Sequence, residues 1–457
     1  MADERVVQIW GESQDTSVQF DVDGRIIDFL EPVKRRKDEK EERVRQQYAQ
    51  TLHFEYGYPK ECMLFEAPIH IGHGRKPADI AVYSSPAARS ARDQSKILLI
   101  VETKAPTKQE GKVQLYSYIF PTSAEGGVWT NGDLNAFFRR QQEPQELLEW
   151  SGIPRFGEPW DAVGQYAKSA LIRPHNLQPV FRKCHNVIYR TGISSEDVAM
   201  DMVRILLAKL KDEVNPGDYC EFRCTPTELR TLPGRQAVAR RVRALFDQVK
   251  WQHRNVFSDM EEINAGDDEI AAVVSQLQPF SFLEAPYDVL GTAYEVYVAS
   301  HFKGERGQYF TNRLIINLMV GILDPSERDV ILDPAVGSGG FLISVLSYIT
   351  NKISRSRRSP AAKAAAVASL GQNLYGVDKA PRLVKVAKAN MLLNRDGYMG
   401  IVRGDSLLAP ESLPRDLLEK AGPGTPTVIL TNPPFGSGNK LRITEPTYLE
   451  NFELGHA

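Results

Sequence analysis

Four short apolar runs in the last third of the chain constrain it most: Val330-Ile331-Leu332, Tyr375-Gly376-Val377, Ile401-Val402 and Val428-Ile429-Leu430. Each is bounded by a polar residue or a turn, and stretches of helical spacing lie between them. Strands read over 329–332, 374–377, 401–402 and 428–431, with helices from Gly340 and over 381–395. Strand and helix in alternation predict a parallel α/β sheet, since parallel neighbours need a long crossover that a helix supplies.

The turn after the first of these strands is Asp333-Pro334-Ala335-Val336-Gly337-Ser338-Gly339-Gly340-Phe341. Glycines there let the backbone approach a ligand at the start of the following helix. The turn has neither the glycine spacing of a dinucleotide site nor the lysine of a P-loop. Asp378 ends the second strand, where a carboxylate can hold ribose hydroxyls, and Asp405 follows the third, where it can meet an adenine edge. The fourth runs into Asn432-Pro433-Pro434-Phe435. Two prolines stiffen this turn. The Asn432 side-chain oxygen and the Pro433 carbonyl can accept hydrogen bonds from one amino group, and Phe435 can stack on an extruded base.

In this order the motifs resemble those of amino-adenine DNA methyltransferases, specifically the M subunits of type I restriction–modification systems. The resemblance spans 186–435 and includes Asp288-Val289-Leu290-Gly291-Thr292-Ala293-Tyr294-Glu295 and Gly307-Gln308-Tyr309-Phe310-Thr311. It implies that Tyr309, Phe310, Thr311, Asp333, Gly337 and Gly339 line S-adenosylmethionine. It further implies that Asp378 binds the ribose and Asp405 the adenine of that cofactor, and that Asn432, Pro433, Pro434 and Phe435 hold and activate the target adenine. The family has Thr-Pro where this chain has Thr311-Asn312.

Nearer the amino terminus, the unbroken apolar run Ile97-Leu98-Leu99-Ile100-Val101 reads as a central buried strand. It ends in Glu102-Thr103-Lys104, whose charged residues are two apart and share a face. Asp79 opens a neighbouring strand. Two carboxylates and a lysine at a strand edge suit Mg²⁺ and metal-assisted phosphodiester hydrolysis. Around them stand Glu41-Glu42-Arg43-Val44-Arg45-Gln46, Gly57-Tyr58-Pro59, Lys76-Pro77-Ala78-Asp79-Ile80, Gln114 with Tyr118, and Thr130-Asn131-Gly132. The set resembles the amino-terminal nuclease domain of type I restriction R subunits, a branch of the PD-(D/E)xK nucleases, over 38–140. The resemblance implies Asp79 and Glu102 as metal ligands helped by Glu41 or Glu42 (Glu41 is preferred), Lys104 as catalytic, and Gln114 and Tyr118 flanking the site near DNA. Ala78 separates proline from Asp79, where many relatives have the two adjacent.

The 457 residues, 42% hydrophobic and 25% charged, exclude a disordered chain, and four scattered cysteines exclude a disulfide-framed module. Cys220 and Cys224 lack the partners of a zinc site and read as core thiols. No apolar run is long enough to span a membrane, and the expected compartment is the cytoplasm. A net charge of −2 leaves any nucleic-acid contact to local features. The basic runs at 34–37 and 352–358 read either as phosphate contacts or as solvated loops, and the polar face near 240–243 as a solvent face.

Three blocks are expected: a nuclease domain over 1–150, a helical connector over 151–305, and a doubly wound, Rossmann-like methyltransferase domain over 306–457. Helices are expected over 195–213, 236–252 and 287–302. About four strands are found where such a methyltransferase sheet has seven, which predicts a piece of a longer protein with an unpaired edge. The expected activity is adenine methylation joined to an Mg²⁺-dependent endonuclease, in a type IIG-like single chain acting on double-stranded DNA. A specificity subunit or a further carboxy-terminal region would read the DNA site. The alternatives are a non-catalytic DNA- or cofactor-binding subunit and a nuclease gated by S-adenosylmethionine.

Overall fold

The computed structural model describes residues 18–72, 74–106, 108, 110–132, 134–174, 177–189, 195–285, 311–394, 397–433 and 446–451. The expected helix over 287–302 lies outside them, as do Tyr309, Phe310, Pro434 and Phe435. Two compact units are present. One comprises Met1–Thr191, Asp212–Val242 and Ala265–Ala285; the other comprises Gly192–Lys211, Arg243–Asn264 and Pro286–Ala457.

The first unit opens with a small ribbon, β1 (Ile26–Ile27) and β2 (Arg35–Arg36), then α1 (Lys40–Phe54), β3 (Met63–Ile71), β4 (Gly74–Tyr83) and α2 (Pro86–Ala91). Next come β5 (Ile97–Thr103), α3 (Lys112–Ile119), β6 (Gly126–Thr130), β7 (Asn135–Gln141), β8 (Glu146–Trp150) and α4 (Gln178–Tyr189). Strands β3 to β8 form one sheet in sequence order, antiparallel except for the β5–β6 pair. Only that pair needs a crossover, and α3 supplies it.

Side chains alternate across β5. Leu99 and Val101 join Tyr48 and Leu52 of α1 on one face, while Ile100 joins Leu115, Tyr118 and Ile119 of α3 on the other. This two-sided burial explains why the strand is apolar throughout. On β3, Met63 and Phe65 lie with α1 but Ala67 and Ile69 lie with α3. The switch occurs at Glu66, whose φ of 53° is left-handed. Ladder pairing skips Glu66 and its opposite residue Asp79, resuming at Phe65–Ile80 and Ala67–Ala78. An irregularity of this kind re-aims the side chains beside it.

At Gly126 a β-carbon would stand 2.3 Å from the Phe138 carbonyl oxygen and 2.4 Å from the Trp160 ring. Backbone on one side and a buried ring on the other leave no room to yield. Gly126→Ala is therefore expected to destabilise the chain by about 1–3 kcal/mol, read as a lower urea midpoint.

Between the sheets' segments lie α5 (Ser195–Val214), α6 (Pro226–Arg230), α7 (Leu232–Gln252) and α8 (Asp267–Leu277). The stretch after β8 is not helical at first: it carries only short 3-10 turns at Trp160–Ala162 and Lys168–Ala170 before α4.

The second unit continues with α9 (Arg313–Leu323), β9 (Ile331–Asp333), α10 (Gly340–Ser354), α11 (Pro360–Ser369) and β10 (Leu374–Asp378). Then follow α12 (Pro381–Leu393), β11 (Ile401–Arg403), α13 (Arg415–Ala421) and β12 (Val428–Ile429). The sheet order is β11-β10-β9-β12, with every pair parallel. Leu374 packs with Ile316, Leu342 and Met391 on one face, and Tyr375 and Val377 pack with Leu417 and Ala421 on the other. Helices thus cover both faces, the doubly wound arrangement expected from the sequence. Helix α11 went unread; its signals are the Ser359 cap on the Ala362 amide and an alanine-rich run behind Pro360.

Candidate functional site

Strand β9 sits between β10 and β12, so the chain winds outward through β10 to β11 and returns on the opposite side of β9. The strand order therefore reverses at β9, and an open α/β sheet has its crevice outside the carboxyl ends of the strands at such a switch point. The turn after β9 is tied to the neighbouring strand by Val336 N donating to the Val377 carbonyl at 2.9 Å. Gly337 and Gly339 have φ of 52° and 87°, conformations that a side chain disfavours. A β-carbon on Gly337 would meet nothing nearer than 3.9 Å, so the turn presents bare backbone to open space.

Asp378 accepts from Gly337 N at 3.1 Å and from Ala380 N at 2.9 Å. Its pKa is raised by burial, with the two amides opposing. Asp333 is almost fully buried and accepts from Ala335 N at 3.1 Å. Burial pushes its pKa up to about 7; the Ala335 amide opposes the rise and the Asp378 charge adds to it. Asn390, buried on α12, donates to the Ser338 carbonyl at 3.0 Å and so fixes the turn. Sequence reading missed it, although an asparagine beside Val386, Ala387 and Met391 on a core face was the available signal. This donor set fits a ligand with hydroxyls for Asp378 and a group lying against glycine backbone, as S-adenosylmethionine would.

Asp405 follows β11, as the sequence places it. It accepts from Tyr448 Oη and Lys379 Nζ, both at 2.8 Å, and from Leu407 N at 3.2 Å. Burial works to raise its pKa, but Lys379, Tyr448 and the Leu407 amide outweigh that and hold it below the ordinary value. Asn432 follows β12 and is half-buried. Its Nδ2 donates to Thr311 Oγ1 at 2.9 Å. Pro433 is exposed beside it. Where the related family has proline after Thr311, Asn312 caps α9 by accepting from Leu314 N at 2.9 Å.

The first unit holds a separate cluster at the irregular point of its sheet. The β4–β5 register, with Ile80 opposite Val101, sets Asp79 opposite Glu102. Asp79 accepts from Thr103 N at 2.7 Å and from Arg45 at 3.2 Å. Lys104 pairs with Glu102, donates to the Thr103 carbonyl at 3.1 Å and reaches Glu41 at 3.5 Å. Gln114 Nε2 donates to Tyr118 Oη at 2.8 Å, one turn apart on α3. Asn131 anchors the loop beyond Lys104, donating to the Pro106 and Lys108 carbonyls at 3.1 and 2.9 Å.

Glu102 is 1% exposed, and its Oε2 has no hydrogen-bond partner among the described residues. Burial raises its pKa to about 7, with the Asp79 and Glu41 charges adding and Lys104 opposing. Lys104 is itself raised: burial disfavours its charge, but the bond to Glu102 and the three nearby carboxylates prevail. Among the described residues no group of three or more His, Cys, Asp or Glu side chains gathers as a metal cage. Glu41 stands 3.5 Å from Lys104 Nζ, the same ammonium that pairs with Glu102. An orphaned buried carboxylate oxygen beside a second carboxylate still fits a cation that keeps most of its waters. Arg45 was missed as a site residue, though its place one helical turn after Glu41 was a usable signal.

Glu102 binds its proton more tightly in the folded chain, at about 7 against an ordinary 4.5. Its stabilising contribution is full below pH 4.5 and is lost as pH rises through 7. Glu102→Gln removes that titration. The variant's stability advantage over the parent is expected to widen between about pH 5 and 7.5 and then level off, as urea unfolding across pH reads directly.

Comparison with known proteins gives two family matches. Residues 285–454 match the N-6 DNA Methylase family and residues 40–154 match the Type I restriction enzyme R protein N terminus (HSDR_N) family. The EcoKI methylase subunit of Escherichia coli K12 is 24% identical over 266 residues, covering 55% of this chain and 49% of that protein. A Heyndrickxia coagulans protein, the type II restriction enzyme and methyltransferase RM.BcgI, is 29% identical over 152 residues, covering 33% of this chain and 22% of that one. A type I methyltransferase subunit from Streptococcus thermophilus superposes with a TM-score of 0.38 and 16% identity, covering 59% of this chain and 64% of that structure. The chain spans half or less of the length of these curated relatives. Residues 285–454 are thus similar to the N-6 methylase domain of type I M subunits, and residues 40–154 to the amino terminus of type I R proteins.

Proposed function

We propose that this is a restriction–modification protein whose second unit methylates the N6 amino group of adenine in double-stranded DNA. What supports the reading is the set of polar groups at the carboxyl ends of β9, β10 and β12: Asp333, the bare Gly337 turn, Asp378 and Asn432. S-adenosylmethionine, when bound, supplies a methyl group on a positively charged sulfur. Asp378 holds ribose hydroxyls, and the Gly337–Gly339 turn lets backbone pack against the cofactor. Asn432 Oδ1 and the Pro433 carbonyl accept the two N6 protons, which turns lone-pair density toward the methyl carbon. Pro434 and Phe435 complete the motif and are read as walls for the extruded base. Transfer would exchange the cofactor's C–S bond for an N–C bond, with one N6 proton leaving to water. Orientation and aimed acceptors account for the catalysis. Calorimetry with S-adenosylmethionine and transfer of labelled methyl to DNA test the reading. Micromolar binding and labelled N6-methyladenine are expected; a chain that binds no cofactor overturns it.

A second activity is supported by the orphaned Glu102 Oε2 beside Asp79 and Lys104. The first unit is read as an endonuclease. Mg²⁺, when bound, supplies the charge that activates water and offsets the developing phosphorane. Asp79 and Glu102 would hold it, Lys104 orients the attacking water, and Gln114 and Tyr118 flank the DNA backbone. The name of the Heyndrickxia coagulans relative joins restriction and methylation, which favours reading both halves together. Nicking of plasmid in Mg²⁺, absent in chelator, is the expected result. A further region or a specificity subunit would choose the DNA site.

A further inference from the structure

Thr311 was read as part of the cofactor wall, yet its hydroxyl is engaged by the side chain that the proposed chemistry depends on. Asn432 Nδ2 donates to Thr311 Oγ1 at 2.9 Å, and its Oδ1 accepts no hydrogen bond among the described residues. A side-chain amide has two nearly equivalent orientations that exchange its oxygen and nitrogen. Only one of them aims an acceptor at a substrate amine. The other aims a donor at it and repels the N6 protons. In the orientation present, the amide nitrogen is spent on Thr311 Oγ1, which leaves Oδ1 to accept from a substrate amine.

Thr311 is firmly placed for that task. It precedes the α9 cap Asn312, whose carbonyl also accepts from Ile315 N at 2.9 Å and Ile316 N at 3.1 Å. Helix α9 is fastened to α10 by Arg313 donating to the Gly340 carbonyl at 3.1 Å and by Ser344 Oγ donating to Asn317 Oδ1 at 3.2 Å. Ile316 and Val320 bury in the same core as Phe341 and Leu342. On the other side, Leu430 N donates to the Leu332 carbonyl at 3.1 Å and carries the strand pairing to within two residues of Asn432.

We propose that Thr311 is a positioning residue: its hydroxyl takes one amide proton of Asn432 and thereby turns Oδ1 toward the target amino group. The proposal rests on the methyltransferase reading for its consequence but not for the contact itself. The decisive pair is Thr311→Val, which keeps the shape and removes the hydroxyl, and Thr311→Ser, which keeps the hydroxyl. Three readouts separate the roles: the side-chain amide signals of Asn432 in asparagine-¹⁵N-labelled chain, identified by their loss in Asn432→Asp; S-adenosylmethionine affinity; and methyl transfer at saturating cofactor and DNA.

Thr311→Val is expected to move the Asn432 amide signals and to slow transfer about five- to tenfold, the loss of one hydrogen bond. Cofactor affinity should stay within twofold, and Thr311→Ser should restore both signal and rate. Unmoved Asn432 signals in Thr311→Val overturn the proposal, as does cofactor affinity falling in step with the rate. A parent chain that neither binds cofactor nor transfers methyl overturns the methyltransferase reading instead, and the amide signals then still decide whether Thr311 sets the orientation of Asn432.

Discussion

Asn432→Ala is expected to lower methyl transfer to adenine at least about 100-fold, the scale seen when one aimed hydrogen-bonding group is removed from a reacting centre. The adenine amino nitrogen is planar because its lone pair is shared with the ring. It attacks carbon only as that sharing is withdrawn, and positive charge then grows on N6. An acceptor aimed at its protons is worth more in the transition state than in the bound substrate, so its loss falls on the rate rather than on binding. S-adenosylmethionine affinity should stay within about twofold, because Asn432 bonds to Thr311 and not to the Asp378 or Gly337 groups. Single-turnover transfer of labelled methyl and calorimetry on the same samples check both halves. Equal losses in rate and cofactor affinity would assign Asn432 to the cofactor pocket.

The residues that the sequence made legible are those whose role is local. The Gly337–Gly339 turn could be read because positive φ needs glycine, and Ile97–Val101 because burial on both faces leaves no polar position in a strand. The Asn131-Gly132 pair quoted from the sequence sits in the turn between the antiparallel strands β6 and β7, with Gly132 at φ 82° and Asn131 accepting from Leu134 N. Charged residues were harder, because what a charge does depends on what lies across from it. Glu42 and Glu41 are adjacent on α1, yet Glu42 is buried against Arg45 and Gln46 while Glu41 faces Lys104. Arg45 meets Asp79 across 34 residues of chain; its spacing from Glu41 marks a helix face but does not name that partner. Asp405 is legible from its place after a strand, whereas its bonds to Lys379 and Tyr448 are not. Glu66 carries a left-handed backbone without being glycine, so the switch of faces that re-aims Asp79 leaves no mark in the sequence.

Lys104→Ala is expected to reduce Mg²⁺-dependent nicking by about 10²–10⁴-fold, the range for losing a positioned proton-transfer group. Two losses combine in it. The ammonium that steers the attacking water goes, and so does the charge that keeps Glu102 ionised. With Lys104 present, burial and the neighbouring carboxylates already raise Glu102 to about 7. Without it the carboxyl rises further and is largely protonated at neutral pH, where a neutral acid is a poor ligand for a hard cation. Raising the pH ionises Glu102 again, so the variant should recover part of its rate between about pH 7 and 9 while the parent profile stays flatter. Lys104→Arg keeps the charge near Glu102 but cannot give up its proton. If Lys104 acts by charge alone, the Lys104→Arg variant nicks at a rate within about tenfold of the parent; if it removes a proton from water, that variant stays as slow as Lys104→Ala. Nicking unchanged in Lys104→Ala would remove the nuclease assignment from the Asp79–Glu102 cluster altogether.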